Sequence, residues 1–226
     1  MSYQILHENT PRIRGVLFDM DGLVVDTEKL YSRFWMAACH FYGFPMTYDQ
    51  SLGMRSINSH LGQKQLEFYF GPGIDYKTIR AKRIELMDAY IAENGVELKP
   101  GIRQLLDYLH EEKILCAITS SSPIDRIRSY LSFHGLDTQF HALCSGHDVP
   151  NGKPAPDIYL HGAASLGLSP RECLALEDSP AGIESAYRAG CFPVIIPDLD
   201  QPDEKTLSRC YGKADSLADI ISMLQV

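Results

Sequence analysis

Four groups of polar residues in this 226-residue chain have the side chains that phosphate chemistry uses, and each group lies at or beyond the end of a short apolar segment. In chain order the groups are Asp19-Met20-Asp21-Gly22, Thr119-Ser120-Ser121-Ser122, Lys153 in the sequence NGKPAPD, and Glu177-Asp178-Ser179. Together they supply carboxylates, hydroxyl groups, backbone amides at helix starts and one lysine. A magnesium-assisted phosphoryl-transfer site requires this combination.

Each group has a simpler structural explanation when it is taken alone. Asp19 and Asp21 could be turn residues or helix caps, and a lone lysine such as Lys153 is more often a solvated surface residue. A calcium-binding EF-hand loop does not fit, because that loop needs glycine at its sixth position and Gly22 is fourth counted from Asp19. The occurrence of all four groups in order, each at a predicted strand end, favours the catalytic interpretation.

The apolar segments predict buried strands. They are GVLF (15–18), ILCAIT (114–119), HALC (141–144), CLAL (173–176) and PVII (193–196). Runs that are continuous rather than alternating are typical of strands covered on both faces. Helix-period segments separate the runs, so the sequence predicts an α/β fold with a mostly parallel sheet. In such sheets, ligands bind beyond the carboxyl ends of the strands.

Two of the intervening helices carry start and stop signals. In SPIDRIRSYLSFHG we expect Ser122 to be the N-cap and Gly135 to end the helix, and in SPAGIESAYRAG the same roles fall to Ser179 and Gly190. A helix N-terminus also binds anions. The serines after the second strand can therefore both cap a helix and hold phosphate.

A helical segment interrupts the alternation between the first and second strands. Residues 29–97 contain helical patterns and no clear strand. One predicted helix has its apolar face at Leu30, Phe34, Ala37 and Phe41, and another ends at Asn94-Gly95. The segment therefore predicts a second, small domain, with hinges near Asp26–Glu28 and Val96–Pro100.

The composition is that of an ordinary globular protein. A net charge of −8 and a pI of about 5.4 argue against a nucleic-acid or anionic-membrane surface. The six cysteines contain no C-x-x-C pair, which favours reduced thiols, and the N-terminus has no signal-peptide pattern. No apolar run approaches the length of a membrane span. We expect a cytoplasmic protein.

The series DMDG, TSSS, GKPAPD and LEDS resembles the haloacid dehalogenase superfamily of phosphohydrolases, in particular the branch of the β-phosphoglucomutases and pseudouridine monophosphate phosphatases. The resemblance spans the whole chain. It implies a Rossmann-like, doubly wound catalytic core formed by residues 1–28 and 98–226. It also implies that residues 29–97 form an inserted α-helical cap domain.

The resemblance also implies roles for the acidic residues. Asp19 would be the nucleophile that forms an aspartyl-phosphate, and Asp21 would be the general acid and base. Because Asp19 and Asp21 are two positions apart on an extended segment, both side chains can face one phosphate. Mg²⁺ would bind Asp19, the carbonyl oxygen of Asp21, Asp178 and, as an open question, Glu177.

Phosphate and substrate contacts follow from the same resemblance. Ser120, with Thr119 as the alternative register, and the amide of Ser121 would hold phosphate oxygens, while Lys153 would balance charge on nucleophile and phosphate. Arg55, in SLGMRS, resembles part of the family's specificity loop. A solvated loop arginine is an equally good interpretation of Arg55.

The predicted function is Mg²⁺-dependent hydrolysis of a small phosphorylated sugar or nucleoside by a monomeric enzyme. A sugar phosphomutase is the alternative, but the mutase's characteristic histidine and lysine positions hold Tyr31 and Pro123 here. A phospho-accepting receiver domain is a further, non-enzymatic alternative. It fits less well because receivers are about half this length and have no cap.

Overall fold

A computed structural model describes residues 3–6, 12–54, 59–198 and 201–225. Two compact units form the chain: Met1–Val25 with Glu97–Val226, and Asp26–Val96. The first is an α/β unit and the second is helical. The boundaries fall within three residues of those expected from the sequence. The role of the helical unit as a cap stays a prediction.

In the described part of the α/β unit, seven strands form one sheet. The strands are β1 (Tyr3–Ile5), β2 (Gly15–Phe18), β3 (Leu115–Ser120), β4 (Ala142–Ser145), β5 (Cys173–Glu177), β6 (Phe192–Ile195) and β7 (Gly212–Ala214). Their spatial order is β1-β7-β6-β5-β2-β3-β4, and only β1 is antiparallel to its neighbour. The prediction of a mostly parallel α/β sheet is confirmed.

The chain builds the sheet outward from β2 in both directions. From β2 it passes to β3 and β4, then returns across the sheet to β5 and continues to β6 and β7. Right-handed crossovers in opposite directions place helices on opposite faces of the sheet. The result is a doubly wound sheet whose switch point lies between β2 and β5.

The helical unit contains four helices in its described residues. They are α1 (Glu28–Phe41), α2 (Tyr48–Leu52), α3 (Ser59–Phe70) and α4 (Tyr76–Asn94). Gly95 ends α4 at a φ of 73°, as predicted. The predicted face of α1 is only partly right: Phe34 is buried as expected, but Phe41 is 63% exposed and Trp35, Ala38 and Cys39 complete the buried face.

Six further helices pack in the α/β unit. They are α5 (Ile102–Glu111), α6 (Ile124–Ser132), α7 (Asp157–Ser165), α8 (Pro180–Ala189), α9 (Glu204–Leu207) and α10 (Asp219–Leu224). Across the described helices, none combines the length and the apolar character that crossing a membrane demands. All six cysteines are free and buried, which confirms the expected thiols.

Both predicted caps of α8 are confirmed, whereas the predicted N-cap of α6, Ser122, is wrong. Ser179 accepts a hydrogen bond from the Gly182 amide at 3.2 Å, and Gly190 adopts a φ of 85° after the last turn. Helix α6 begins one residue later than expected, with Pro123 as its N-cap. The Ser122 side chain instead turns toward Asp21.

The apolar stripe of α5 generates a stability prediction. Leu105 is fully buried, whereas its neighbour Gln104 is exposed. We expect Leu105→Ala to lower the free energy of unfolding by about 2–5 kcal/mol, because it removes buried methyl groups and leaves a cavity. Gln104→Ala should change it by less than about 0.5 kcal/mol. Urea denaturation measures both, and equal effects would contradict the burial of this face.

Candidate active site

The carboxyl ends of β2 and β5 lie side by side and each ends in a carboxylate. Asp19 follows β2, and its backbone amide donates to Leu176 O of β5 at 3.0 Å. Glu177 is the last residue of β5 and is fully buried. Because Leu176 pairs with Phe18, the register of the two strands brings the Asp19 and Glu177 side chains to the same end of the sheet.

Lys153 joins the two strand ends. Its Nζ donates to Asp19 Oδ1 at 2.5 Å and to Glu177 Oε1 at 2.6 Å. The lysine side chain is only 8% exposed. The solvated surface lysine considered from sequence is therefore wrong, and the lysine lies where it can balance negative charge at Asp19.

Two further hydroxyl groups hold Glu177. The Tyr159 hydroxyl donates to Glu177 Oε1, and Ser179 Oγ donates to Oε2 at 3.1 Å. A Cβ atom added at Gly182 would lie 1.8–2.0 Å from the Glu177 carboxylate. The first turn of α8 therefore needs glycine to leave room for this side chain.

Sequence reasoning missed Tyr159 and Gly182. Tyr159 lies in α7 among apolar residues, and its spacing is that of an ordinary core aromatic. Gly182 lies in a helix where alanine has the better propensity. A glycine in the first turn after the acidic pair was the one signal that could have indicated close packing there.

The serine segment after β3 contacts the second aspartate. Ser122 Oγ donates to Asp21 Oδ2 at 3.0 Å, and the Ser122 amide donates to Ser120 Oγ at 3.0 Å. Thr119 Oγ1 donates to the carbonyl of Phe18 within the sheet at 3.1 Å. These contacts favour Ser120 over Thr119 as the phosphate-binding hydroxyl, and Ser121 follows at the same edge.

Gly22 lets the chain turn after the two aspartates. Its φ is 83°, a region that side chains disfavour. The Gly22 amide donates to Val25 O at 2.9 Å, and the amides of Val24 and Val25 both donate to Met20 O. The tight turn keeps Asp19 and Asp21 at the strand end.

Asp178 completes an acidic group with Asp19 and Glu177. One carboxylate oxygen from each lies within 4.8 Å of the others. These hard oxygen donors are the ligands that Mg²⁺ prefers. Glu177 Oε2 accepts only Ser179 among the hydrogen bonds described above, so it keeps a lone pair that could reach a metal.

The charges of the group also fit a cation. Burial raises the pKa of Asp19 to about 7; Lys153 opposes this shift, whereas Glu177 and Asp21 add to it. Burial alone would lower the pKa of Lys153, but its ion pairs with Asp19 and Glu177 raise it, so the lysine stays protonated. One ammonium group does not balance the surrounding carboxylates, and a divalent ion would stabilise ionised Asp19.

Arg55, the expected substrate contact, lies outside the described residues. The other predicted site residues all belong to the α/β unit. The structure brings Asp19, Lys153, Glu177 and Asp178 into one cluster, and Asp21 into contact with the serine segment.

The raised pKa of Asp19 predicts a pH-dependent stability in the presence of a chelator. An unperturbed aspartate has a pKa of 3.8, so the unfolded chain loses this proton before the folded protein does. The folded protein therefore loses stability as pH rises from about 4 through about 7. We expect the free energy of unfolding of the parent to fall by at least about 1 kcal/mol more than that of Asp19→Asn as pH rises from 4 to 8.

Urea denaturation at pH 4 and pH 8 tests this expectation. Asp19→Asn should be less stable relative to the parent at pH 4, where the folded parent still holds the Asp19 proton, than at pH 8, where it does not. Asp107→Asn changes an exposed carboxylate of α5 and should follow the parent at both pH values. Identical pH profiles for Asp19→Asn and the parent would contradict the assigned pKa direction.

Comparisons with known proteins show which family the chain resembles. The family described as "Haloacid dehalogenase-like hydrolase" matches residues 16–196. A Drosophila melanogaster protein named "Probable pseudouridine-5'-phosphatase" is 34% identical over 217 residues, covering 92% of this chain and 91% of that protein. "Beta-phosphoglucomutase" from Bacillus subtilis is 30% identical over 192 residues, covering 81% and 83%.

The solved structures include a similar fold. A Thermotoga maritima protein, provisionally named a beta-phosphoglucomutase, superposes with a TM-score of 0.79 at 25% identity, covering 94% of this chain and 99% of that one. The family match includes the positions of Asp19, Ser120, Lys153 and Glu177. The chain therefore belongs to the haloacid dehalogenase-like hydrolases.

Proposed function

We propose that this protein is a Mg²⁺-dependent phosphatase that hydrolyses a small phosphorylated sugar or nucleoside through an aspartyl-phosphate. The contact of Lys153 with both Asp19 and Glu177 at the ends of β2 and β5 carries the proposal. The contact brings together a carboxylate, an ammonium group and further carboxylate oxygens, which are the groups that an aspartyl-phosphate mechanism with a divalent ion needs. The Drosophila melanogaster relative is named a phosphatase, which supports the same reaction class.

In the first step, an oxygen of Asp19 attacks phosphorus and the bond from phosphorus to the leaving-group oxygen breaks. Asp21 donates its proton to that oxygen as it departs. The Ser122 hydroxyl, at 3.0 Å from Asp21 Oδ2, orients this carboxyl group. The products of the step are the free alcohol and Asp19 carrying the phosphoryl group.

In the second step, Asp21 accepts a proton from water, whose oxygen attacks phosphorus, and the bond to Asp19 breaks. Inorganic phosphate leaves and both aspartates return to their starting states. Lys153 holds the Asp19 carboxylate in place and balances its charge through both steps. Ser120 and the Ser121 amide hold the oxygens of the transferred group.

Mg²⁺ would be held by Asp19, Asp178 and the Asp21 carbonyl oxygen, with Glu177 Oε2 within reach. When bound, it neutralises negative charge on the nucleophile and the phosphate, which otherwise repel each other. Glu177 has a second task in this arrangement, because its buried carboxylate fixes the position of Lys153.

We propose that substrate choice lies with the helical unit Asp26–Val96 acting as a cap, and with Arg55 in particular. Its insertion directly after Asp21 in the sequence supports this assignment, since a lid anchored there can exclude water from the reacting phosphate. The names of the relatives place a pseudouridine phosphate and a phosphorylated glucose among the substrates to be tested first.

The receiver-domain alternative is not retained, because the chain belongs to a hydrolase family. The phosphomutase alternative has two observations in its favour, the Bacillus subtilis relative and the Thermotoga maritima structure that are both named as beta-phosphoglucomutases. Incubation with β-glucose 1-phosphate and a glucose bisphosphate activator separates the two reactions. A mutase forms glucose 6-phosphate, whereas the proposed phosphatase releases inorganic phosphate.

A phosphate-release screen over sugar and nucleoside monophosphates, with Mg²⁺ or with a chelator, tests the proposed function. We expect turnover that depends on Mg²⁺ and is lost in the chelator. Asp19→Asn should lower kcat by several powers of ten, as for other nucleophile replacements, while keeping the fold. Asp107→Asn is the matched control and should keep full activity. Turnover of Asp19→Asn within tenfold of the parent would exclude Asp19 as the nucleophile.

Asp21→Asn should affect substrates unequally, because only poor leaving groups need a proton. We expect a large loss of kcat/KM with an alkyl phosphate and a much smaller loss with p-nitrophenyl phosphate, whose leaving group departs as a stable anion. Steady-state kinetics on the two substrates measures the ratio. An equal loss on both would mean that Asp21 serves the metal or the fold and not proton transfer.

A further inference from the structure

A second group of metal-binding side chains lies at the opposite edge of the sheet. His110 is in the last turn of α5, Cys116 is the second residue of β3, and His141 directly precedes β4. Four residues of strand separate Cys116 from Ser120, which is a distance of roughly 13 Å at about 3.3 Å per residue. The group is therefore separate from the acidic cluster.

The sheet fixes two of the three side chains relative to each other. The pairing of Ala117 with Ala142 places Cys116 beside His141, and the His141 amide donates to Cys116 O at 2.9 Å. The Cys116 amide in turn donates to His141 Nδ1 at 3.2 Å. This bond requires a lone pair on Nδ1, so that nitrogen is unprotonated, and a metal bound there would replace the Cys116 amide as the partner of the lone pair.

One backbone carbonyl draws the third side chain into the group. Gln139 O accepts from His110 Nε2 at 2.9 Å and from Cys116 Sγ at 3.4 Å. The two imidazole rings have centroids 6.0 Å apart. One ligand atom from each of His110, Cys116 and His141 lies within 4.8 Å of the other two.

The distance between Cys116 and His141 agrees with the coordination of zinc. With Zn–N near 2.0–2.1 Å and Zn–S near 2.3 Å, tetrahedral geometry puts a nitrogen and a sulfur ligand about 3.6 Å apart. Cys116 Sγ and His141 Nδ1 are 3.6 Å apart. Both histidines are exposed, so an ion can enter from solvent and keep water in its fourth position.

We propose that His110, Cys116 and His141 form a binding site for Zn²⁺ or a similar borderline-soft divalent ion. Thiolate and imidazole ligands select such ions over Mg²⁺, whereas the acidic cluster at the other edge offers oxygen alone. Binding forms a bond from the metal to Cys116 Sγ, and the thiol proton goes to solvent. The bound ion ties α5, β3 and β4 together and so stabilises the α/β unit.

Cobalt tests the site directly, because thiolate ligation of Co²⁺ gives a charge-transfer absorption that oxygen ligands do not give. Metal-free full-length protein is titrated with Co²⁺ in excess Mg²⁺, which occupies the acidic cluster. We expect this absorption to saturate at one Co²⁺ per chain and to disappear in Cys116→Ser. Cys144→Ser is the matched control, since Cys144 is buried in adjacent β4 and outside the group.

His110→Gln keeps the test decisive if Cys116→Ser does not fold, because His110 is exposed. We expect at least a tenfold loss of Co²⁺ affinity in His110→Gln, since changes even to groups that only support a ligand cost 10- to 100-fold. Zn²⁺ should raise the melting temperature of the parent and of Cys144→Ser more than that of His110→Gln. No thiolate absorption in the parent, or equal Co²⁺ affinity in the parent and His110→Gln, would overturn the proposal.

Discussion

The ammonium group of Lys153, held between two carboxylates, is the interaction on which the site depends. Asp19 and Glu177 come from adjacent strand ends and would repel each other if both were ionised in a buried setting. Lys153 contacts both within 2.6 Å, and Tyr159 and Ser179 satisfy further lone pairs of Glu177. Breaking a buried ion pair on one side costs about 3–5 kcal/mol, so each partner holds the others in place.

Without a bound metal or phosphate, the same buried charges contribute little to the stability of the folded protein. Replacing a buried ion pair by well-packed apolar residues is often neutral or stabilising. Here the burial raises the pKa of Asp19 to about 7, which means that the folded protein resists ionisation of this carboxyl group. A divalent ion and a phosphate ligand change this balance, since the cation favours the ionised carboxylate. The charges are therefore suited to the site when a divalent ion and a phosphate are bound.

The topology explains why the site lies at these two strand ends. Crevices for ligands form in doubly wound sheets where the chain reverses its direction of strand addition. In this sheet the reversal lies between β2 and β5, and Asp19 and Glu177 are the residues at their carboxyl ends. Close packing there needs small residues, and Gly182 supplies one beneath Glu177.

Continuous apolar runs and cap residues made much of this architecture predictable. β2 and β5 were predictable because fully buried strands have no polar interruptions, and α8 because Ser179 and Gly190 mark its ends. β1 and β7 were missed because three residues of mixed polarity carry no periodic signal. The Tyr159 contact, the bond from Ser122 to Asp21 and the fit of Gly182 are tertiary contacts, and local sequence does not encode them.

The location of the site residues separates chemistry from substrate choice. Asp19, Asp21, Ser120, Lys153, Glu177 and Asp178 all belong to the α/β unit, and all of them act on the phosphoryl group or the metal in the proposed mechanism. A phosphoryl group is the same in every phosphate monoester, so these contacts cannot distinguish one leaving group from another. The curated relatives are named for different reactions although they match most of the chain. Discrimination must therefore come from residues that touch the leaving group, and one fold can serve several substrates by changing those residues alone.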